Sequence, residues 1–246
     1  MSSDSLNLSG ETVLVTGASG NIGRGIALRL AEAGASIIVH YHRNKAGADA
    51  TAAELGGAAT VQGNLADETA VDRLFAESGP TMLVNNAATQ LVQSLGDMGY
   101  AKWRDMLATN LDAAFLVMQR AAHAWAGRGG AIVNIASIEA LDPAAGHGHY
   151  ATSKAGLVML SRAAALEFGS AGIRVNCVSP GLIDREGLAR DWPDGVSRWH
   201  DRVPLGGLGT PKDVADAVLF LLSPAARWIS GTNLVVDGGM SAQSRW

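Results

Sequence analysis

A chain of 246 residues, 48% hydrophobic and slightly positive in mean hydropathy, can bury a sizeable core as one large α/β domain or two small ones. Its net charge of −4 and pI near 5.8, without any basic stripe, argue against nucleic acid or an anionic membrane as partner. The one cysteine, Cys177, lies in an apolar run and reads as a buried structural thiol, so no intramolecular disulfide can form. No Pro/Ser-rich linker or charge run breaks the pattern, which favours a single domain, and no internal repeat is visible. The first nine residues are polar and no apolar segment reaches spanning length, so a soluble, cytoplasmic protein is expected.

In chain order, short β-branched apolar runs at 12–16, 36–41, 59–62, 82–85, 131–135, 174–178 and 233–236 read as strands. Helical patterns fill 22–33, 46–55, 68–77, 100–125, 150–168 and 212–221. Strands that are apolar throughout belong to a parallel sheet covered on both faces, so the expected fold is a doubly wound α/β sandwich of seven strands. Such sheets bind ligands at the carboxyl ends of their strands, and the residues just beyond each strand carry the functional information.

After the first strand comes Thr16-Gly17-Ala18-Ser19-Gly20-Asn21-Ile22-Gly23. Glycines between a strand and a helix permit a tight turn and close approach of backbone to a pyrophosphate; alone they also fit a plain βα connection. The second strand runs into His40-Tyr41-His42-Arg43-Asn44-Lys45, which has cations and no acid. An acid there would hold the ribose hydroxyls of NAD, whereas basic residues accommodate the extra phosphate of NADP, so NADP(H) is expected over NAD(H). Arg43 and Lys45 read equally as solvent-facing charges at a helix start. Asn64-Leu65 after the third strand and Asn85-Asn86-Ala87-Ala88 after the fourth leave room for adenosine, or are Asx turns and caps. Ser137 follows the fifth strand, and Tyr150 and Lys154 lie one helical turn apart. A neighbouring ammonium should lower the phenol's pKa and make the pair a usable acid and base.

Together, Thr16-Gly17…Gly23, Asn85-Asn86-Ala87, Asn110, Ser137, Tyr150-x-x-x-Lys154, Pro180-Gly181 and Val236-Asp237-Gly238-Gly239 resemble the short-chain dehydrogenase/reductase family in its compact form. The resemblance runs from about residue 8 to 240 and includes the thirteen-residue step from Ser137 to Tyr150. It implies a single NAD(P)-binding Rossmann domain that interconverts a carbonyl and a secondary alcohol. Tyr150 would exchange the proton, Ser137 would hydrogen-bond the same oxygen, and Lys154 would tune Tyr150 and hold the nicotinamide ribose. Asn110 would order a relaying water. The implied cofactor contacts are Gly17, Ser19, Asn21, Ile22, Gly23, His42, Arg43, Asn64, Leu65, Asn86, Ala87, Pro180, Gly181 and Ile183, with Tyr150 and Lys154.

Two positions depart from the family pattern. Asn21 replaces the second glycine, and Asn tolerates left-handed backbone, so the turn should survive. Asp184-Arg185-Glu186 stands where a threonine often follows Pro180-Gly181. Residues 182–209 are expected to form a substrate lid, with Trp192, Trp199 and four arginines. Those arginines fit an anionic or aromatic ketone, or are solvated helix ends; His147 and His149 line the pocket or are simply exposed. His40-Tyr41-His42-Arg43 resembles pteridine reductases, which carry an aspartate at the Ser137 position; the whole chain is more similar to the 3-oxoacyl-acyl-carrier-protein reductases and related sugar or alcohol dehydrogenases. A carrier protein as partner would need a basic docking patch, for which Arg128 and Arg162 are the candidates. Kinship implies a homotetramer or homodimer. No metal-ligand spacing is present. The rival readings are a catalytically silent dinucleotide-binding sensor, which would have shed Ser, Tyr or Lys, and a nucleotide-binding methyltransferase, which has no use for Tyr-x-x-x-Lys.

Overall fold

The computed structural model of the protein describes residues 3–242. Seven strands, β1 (Thr12–Val15), β2 (Ser36–Tyr41), β3 (Ala59–Gln62), β4 (Met82–Asn85), β5 (Gly130–Ile135), β6 (Ile173–Pro180) and β7 (Asn233–Val236), form one parallel sheet in the order β3-β2-β1-β4-β5-β6-β7. Around it lie α1 (Asn21–Glu32), α2 (Lys45–Glu54), α3 (Glu68–Ser78), α4 (Tyr100–Leu107), α5 (Ala113–Ala124), α6 (Gly148–Phe168), α7 (Leu188–Asp191), α8 (Pro193–His200) and α9 (Pro211–Leu222).

The continuous apolar runs in the strands follow from this layering, because successive side chains enter opposite cores. Val13 and Val15, Ile37 and Val39, Ala131 and Val133 pack with Ile26, Ala27 and Leu30 of α1 and Val214, Val218 and Leu219 of α9. Leu14, Ile38, Leu83, Ile132 and Val175 pack on the other face with Leu74 and Phe75 of α3 and Val117, Met118 and Ala121 of α5. The strand order reverses direction between β1 and β4, so the crevice of a doubly wound sheet opens at their carboxyl ends. A buried polar chain ties β4, β5 and α6 together: Asn85 donates to Asn134 Oδ1 (2.9 Å), Asn134 to Ser161 Oγ (2.7 Å), and Ser161 to the Leu157 carbonyl (2.7 Å).

Beyond end shifts of one or two residues, three segments differ from the sequence reading. The helix expected over 100–125 is α4 and α5 joined by a π turn at Ala108–Asp112. The wider turn carries Asn110 inward, where its amide exchanges two hydrogen bonds with the Thr89 backbone. The sixth strand extends on to Pro180, because Ser179 and Pro180 pair with Val235 and Val236 of β7. Residues 182–209, expected to form a substrate lid, carry two short helices, α7 and α8, and are pinned at their base by a parallel bridge between Ile183 and Gly209.

Candidate active site

At the end of β1 the chain turns through Gly17 at φ +65°, and a Cβ there would stand 2.8 Å from the Ala87 backbone. A Cβ on Gly23 would overlap the Gly17 carbonyl, so the turn packs directly on the start of α1. Asn86 holds it from the next strand: its amide donates to the carbonyls of Thr16 (2.9 Å) and Gly17 (3.2 Å). Thr16 Oγ1 in return accepts the N–H groups of Asn86 (2.9 Å) and Ala87 (3.0 Å). Asn86 and Ala87 thus shape the glycine turn. Asn21 takes φ 38°, the left-handed conformation expected of the residue that replaces a glycine. No side chain caps α1, which leaves the first-turn N–H groups of Asn21, Ile22 and Gly23 without a side-chain acceptor at the positive end of the helix. An unclaimed set of donors beside a tight glycine turn fits a dinucleotide pyrophosphate.

His40 is 1% exposed and bridges this turn to β3, accepting the Gly17 N–H on Nδ1 (3.2 Å) and facing the Gly63 carbonyl with Nε2 (3.1 Å). Burial pushes its pKa down to about 4, so the ring is neutral and is no cation for a phosphate. His42 and Arg43 are exposed beyond it. Lys45 is spent on Asp49 (2.7 Å), whereas Arg43 makes no ion pair among the described residues. Asn44 caps α2 and donates to the Ser19 carbonyl (3.1 Å), coupling the end of β2 to the glycine turn. Asn64 forms an Asx turn with Ala66 (3.2 Å), and the Leu65 side chain is buried in the core.

Ser137, Tyr150 and Lys154 are brought together at the carboxyl edge of β5, all at most 9% exposed. Ser137 stands near enough to the Tyr150 phenol to favour its charged form, and Ser137 Oγ accepts the Glu139 N–H (3.1 Å). Lys154 Nζ donates to the Ile135 carbonyl (2.8 Å) and stands 5.8 Å from the centre of the Tyr150 ring. Asn110 reaches Ser153 Oγ (3.2 Å), whose hydroxyl donates to the Tyr150 carbonyl (2.7 Å), so the π turn braces the first turn of α6.

One expectation about this group is overturned. Tyr150 is pushed up to about 12, not lowered, because burial of the phenol outweighs the Ser137 hydrogen bond, and the Glu139 charge adds to the rise. Lys154 is itself brought down to about 8 by burial. The spacing argument counted the attraction between ammonium and phenolate but not the desolvation both groups share.

Pro180 is buried, and Gly181 is wedged between Trp199 and Asp237, where a Cβ would lie 2.7 Å from the indole. Asp237 accepts the N–H groups of Gly239 (2.9 Å) and Ser241 (2.7 Å), so the closing turn after β7 braces the edge where the 182–209 segment begins. Ile183 is 8% exposed at the base of the 182–209 segment. Within it, Arg185 (2.9 Å) and Arg190 (3.0 Å) pair with Asp191, and Arg198 lies over the Trp192 ring. Arg185 and Arg190 thus share one carboxylate within this segment. Arg128 is corrected as a docking residue: it precedes β5, at the amino edge of the sheet away from the crevice, and pairs with Glu11 (3.2 Å).

The sequence reading passed over Glu139. Its carboxylate receives His147 Nδ1 (2.9 and 3.0 Å) and the Gln90 amide (3.2 Å) beside Ser137, and the His147 ring meets Tyr150 edge-on at 6.1 Å. His149 is 1% exposed, and its Nδ1 finds no hydrogen-bond partner among the described residues. An acid two residues after Ser137 and a histidine three before Tyr150 were the available signals, invisible as a pair until the loops met.

The family described as enoyl-(acyl carrier protein) reductase matches residues 17–241. L-rhamnose 1-dehydrogenase (NAD(P)(+)) of Azotobacter vinelandii is 38% identical, covering 94% of this chain and 96% of its own. The 3-oxoacyl-acyl-carrier-protein reductase of Aquifex aeolicus is 35% identical over 96% of this chain and 99% of its own. The structure of gluconate 5-dehydrogenase from Burkholderia cenocepacia, in complex with NADP and tartrate, superimposes with a TM-score of 0.91 at 30% identity, covering 99% of this chain and all of that one.

Proposed function

From its membership of the short-chain dehydrogenase/reductase family, whose members act on CH–OH or carbonyl groups, we propose that this enzyme reduces a ketone reversibly with NADP(H), using Tyr150 as proton donor. The observation that carries the reading is the convergence of Ser137, Tyr150 and Lys154 on the sheet edge that also bears the uncapped start of α1. When bound, NADPH supplies a hydride to the carbonyl carbon. Tyr150, kept fully protonated by a pKa near 12, gives its proton to the carbonyl oxygen as negative charge grows there. Ser137 donates to the same oxygen, with the Glu139 N–H holding its Oγ in place. Lys154, near 8, is largely cationic at neutral pH and favours the tyrosinate left behind, while the Ile135 carbonyl fixes its position. Asn110 holds the geometry from the π turn.

Support for NADP(H) over NAD(H) comes from the exposed His42 and unpaired Arg43 at the end of β2, where no carboxylate stands. A homodimer or homotetramer joined through α5 and α6 belongs to the same reading, as do the remaining contacts at Ser19, Asn64, Leu65, Pro180, Gly181 and Ile183. The test is a panel of ketones with NADPH and NADH. Reduction should be at least about tenfold more efficient with NADPH, equivalent to about 1.4 kcal/mol. Tyr150→Phe should lose turnover by about 10²-fold or more with NADPH affinity kept. Full turnover in that variant removes the proton donor, and equal efficiency with both cofactors removes the preference.

A further inference from the structure

Three chain segments meet beside the catalytic hydroxyls. The loop after β4 brings Gln90, the turn after β5 brings Glu139, and the loop before α6 brings His147; Gln93 N–H donates to the Gly146 carbonyl (2.7 Å) and fastens the first loop to the third. The Glu139 and His147 side chains keep 15% and 16% of their surface accessible, so the pair is neither sealed in the core nor free in solvent. Its position relative to the reacting oxygen is set by the backbone, since the Glu139 N–H is bonded to Ser137 Oγ. Its carboxylate is also close enough to Tyr150 for its charge to raise the phenol's pKa.

Resting on the carbonyl-reductase reading above, we propose that Glu139, held by His147 and Gln90, is the specificity determinant of this site and selects ketones that carry a hydroxyl on the carbon next to the carbonyl. A carboxylate offers about four acceptor positions, of which His147 and Gln90 fill only part. The remainder suit an O–H donor. A plain acyl chain laid against this wall would strip water from the carboxylate and imidazole and return no hydrogen bond, which is how a polar pocket rejects an analogue lacking the hydroxyl. An anionic head group would meet the Glu139 charge, and a full cation would compete with the imidazole already seated on both oxygens. The balanced reaction is α-hydroxyketone + NADPH + H⁺ → vicinal diol + NADP⁺.

The experiment compares 3-hydroxybutan-2-one with its isostere 3-methylbutan-2-one, in which methyl replaces hydroxyl, by kcat/KM with saturating NADPH. The wild type should favour the hydroxyketone by about tenfold or more, and Glu139→Ala should bring the ratio close to one, with Glu139→Gln between. A ratio within one preparation is insensitive to loss of folded enzyme, so a purely structural role for the pair would lower both substrates together and leave the ratio standing. That outcome, or no preference in the wild type, overturns the assignment while the carbonyl-reductase reading stands. Failure of the wild type to reduce either ketone, or any ketone of the wider panel, overturns both.

Discussion

His40 accepts the Gly17 N–H on one ring nitrogen and so donates from the other to the Gly63 carbonyl, an arrangement open only to the neutral ring. With a folded pKa near 4 against an ordinary 6.5, the unfolded chain takes up a proton between those values and the folded chain does not. The stability due to His40 is therefore complete above pH 6.5 and falls as the pH drops toward 4, by about 3 kcal/mol across the window. Urea titrations of wild type and His40→Gln at intervals over that range should show a steeper acid loss in the wild type; parallel curves would refute the neutral bridge. The same competition between burial and pairing explains Tyr150 and Lys154, which share a pocket and pay for it in opposite directions.

At the scale of elements, α9 closes one core face and its last turn is capped from the sheet. Arg174 of β6 donates to the carbonyls of Leu221 (2.7 Å) and Leu222 (2.9 Å), satisfying groups that the helix itself leaves open. Arg174→Met keeps most of the aliphatic stem and removes the donors, and should cost about 2 kcal/mol in chemical denaturation. A loss below about 0.5 kcal/mol would mean that water replaces the guanidinium at no cost. The π turn between α4 and α5 works by the opposite means: it spends helical regularity to aim one side chain, Asn110, at Thr89 and Ser153. Periodicity over 100–125 reads as one helix because a single widened turn shifts the apolar face without ending it.

For the molecule as a whole, the apolar surface is uneven. Phe115 on α5 is 43% exposed, and on α6 Met159 and Leu166 are 61% and 84% exposed. Ala155, Met159 and Ala163 recur at four-residue steps along one exposed line of α6. A groove lined by Leu111, Phe115, Gly156 and Leu160, with the carboxylates Glu68 and Asp112 also on its wall, lies beside them. Apolar surface of this kind marks a contact with another protein, and the proposed occupant is a second copy of the chain. Sedimentation at micromolar concentration should find dimers or tetramers, and Met159→Arg should weaken association by about tenfold or more. A monomeric wild type would sink this assembly. Among the described residues no helix is long and apolar enough to cross a membrane.

What could be read from the chain alone was whatever local chemistry dictates. Seven apolar runs separated by helical periods require a covered parallel sheet, a glycine turn between strand and helix requires a close backbone approach, and Tyr150 and Lys154 share a helix face by spacing. Decisions that depend on distant segments meeting were left to the tertiary structure. His40 became a neutral bridge because Gly17 and Gly63 close on it, Arg128 was removed from the crevice by the direction of β5, and Glu139 found His147 only when two loops met. The physical reason is common to all three: hydrogen bonding, desolvation and charge act through space over a few ångströms, and sequence distance does not report which groups will lie within that reach.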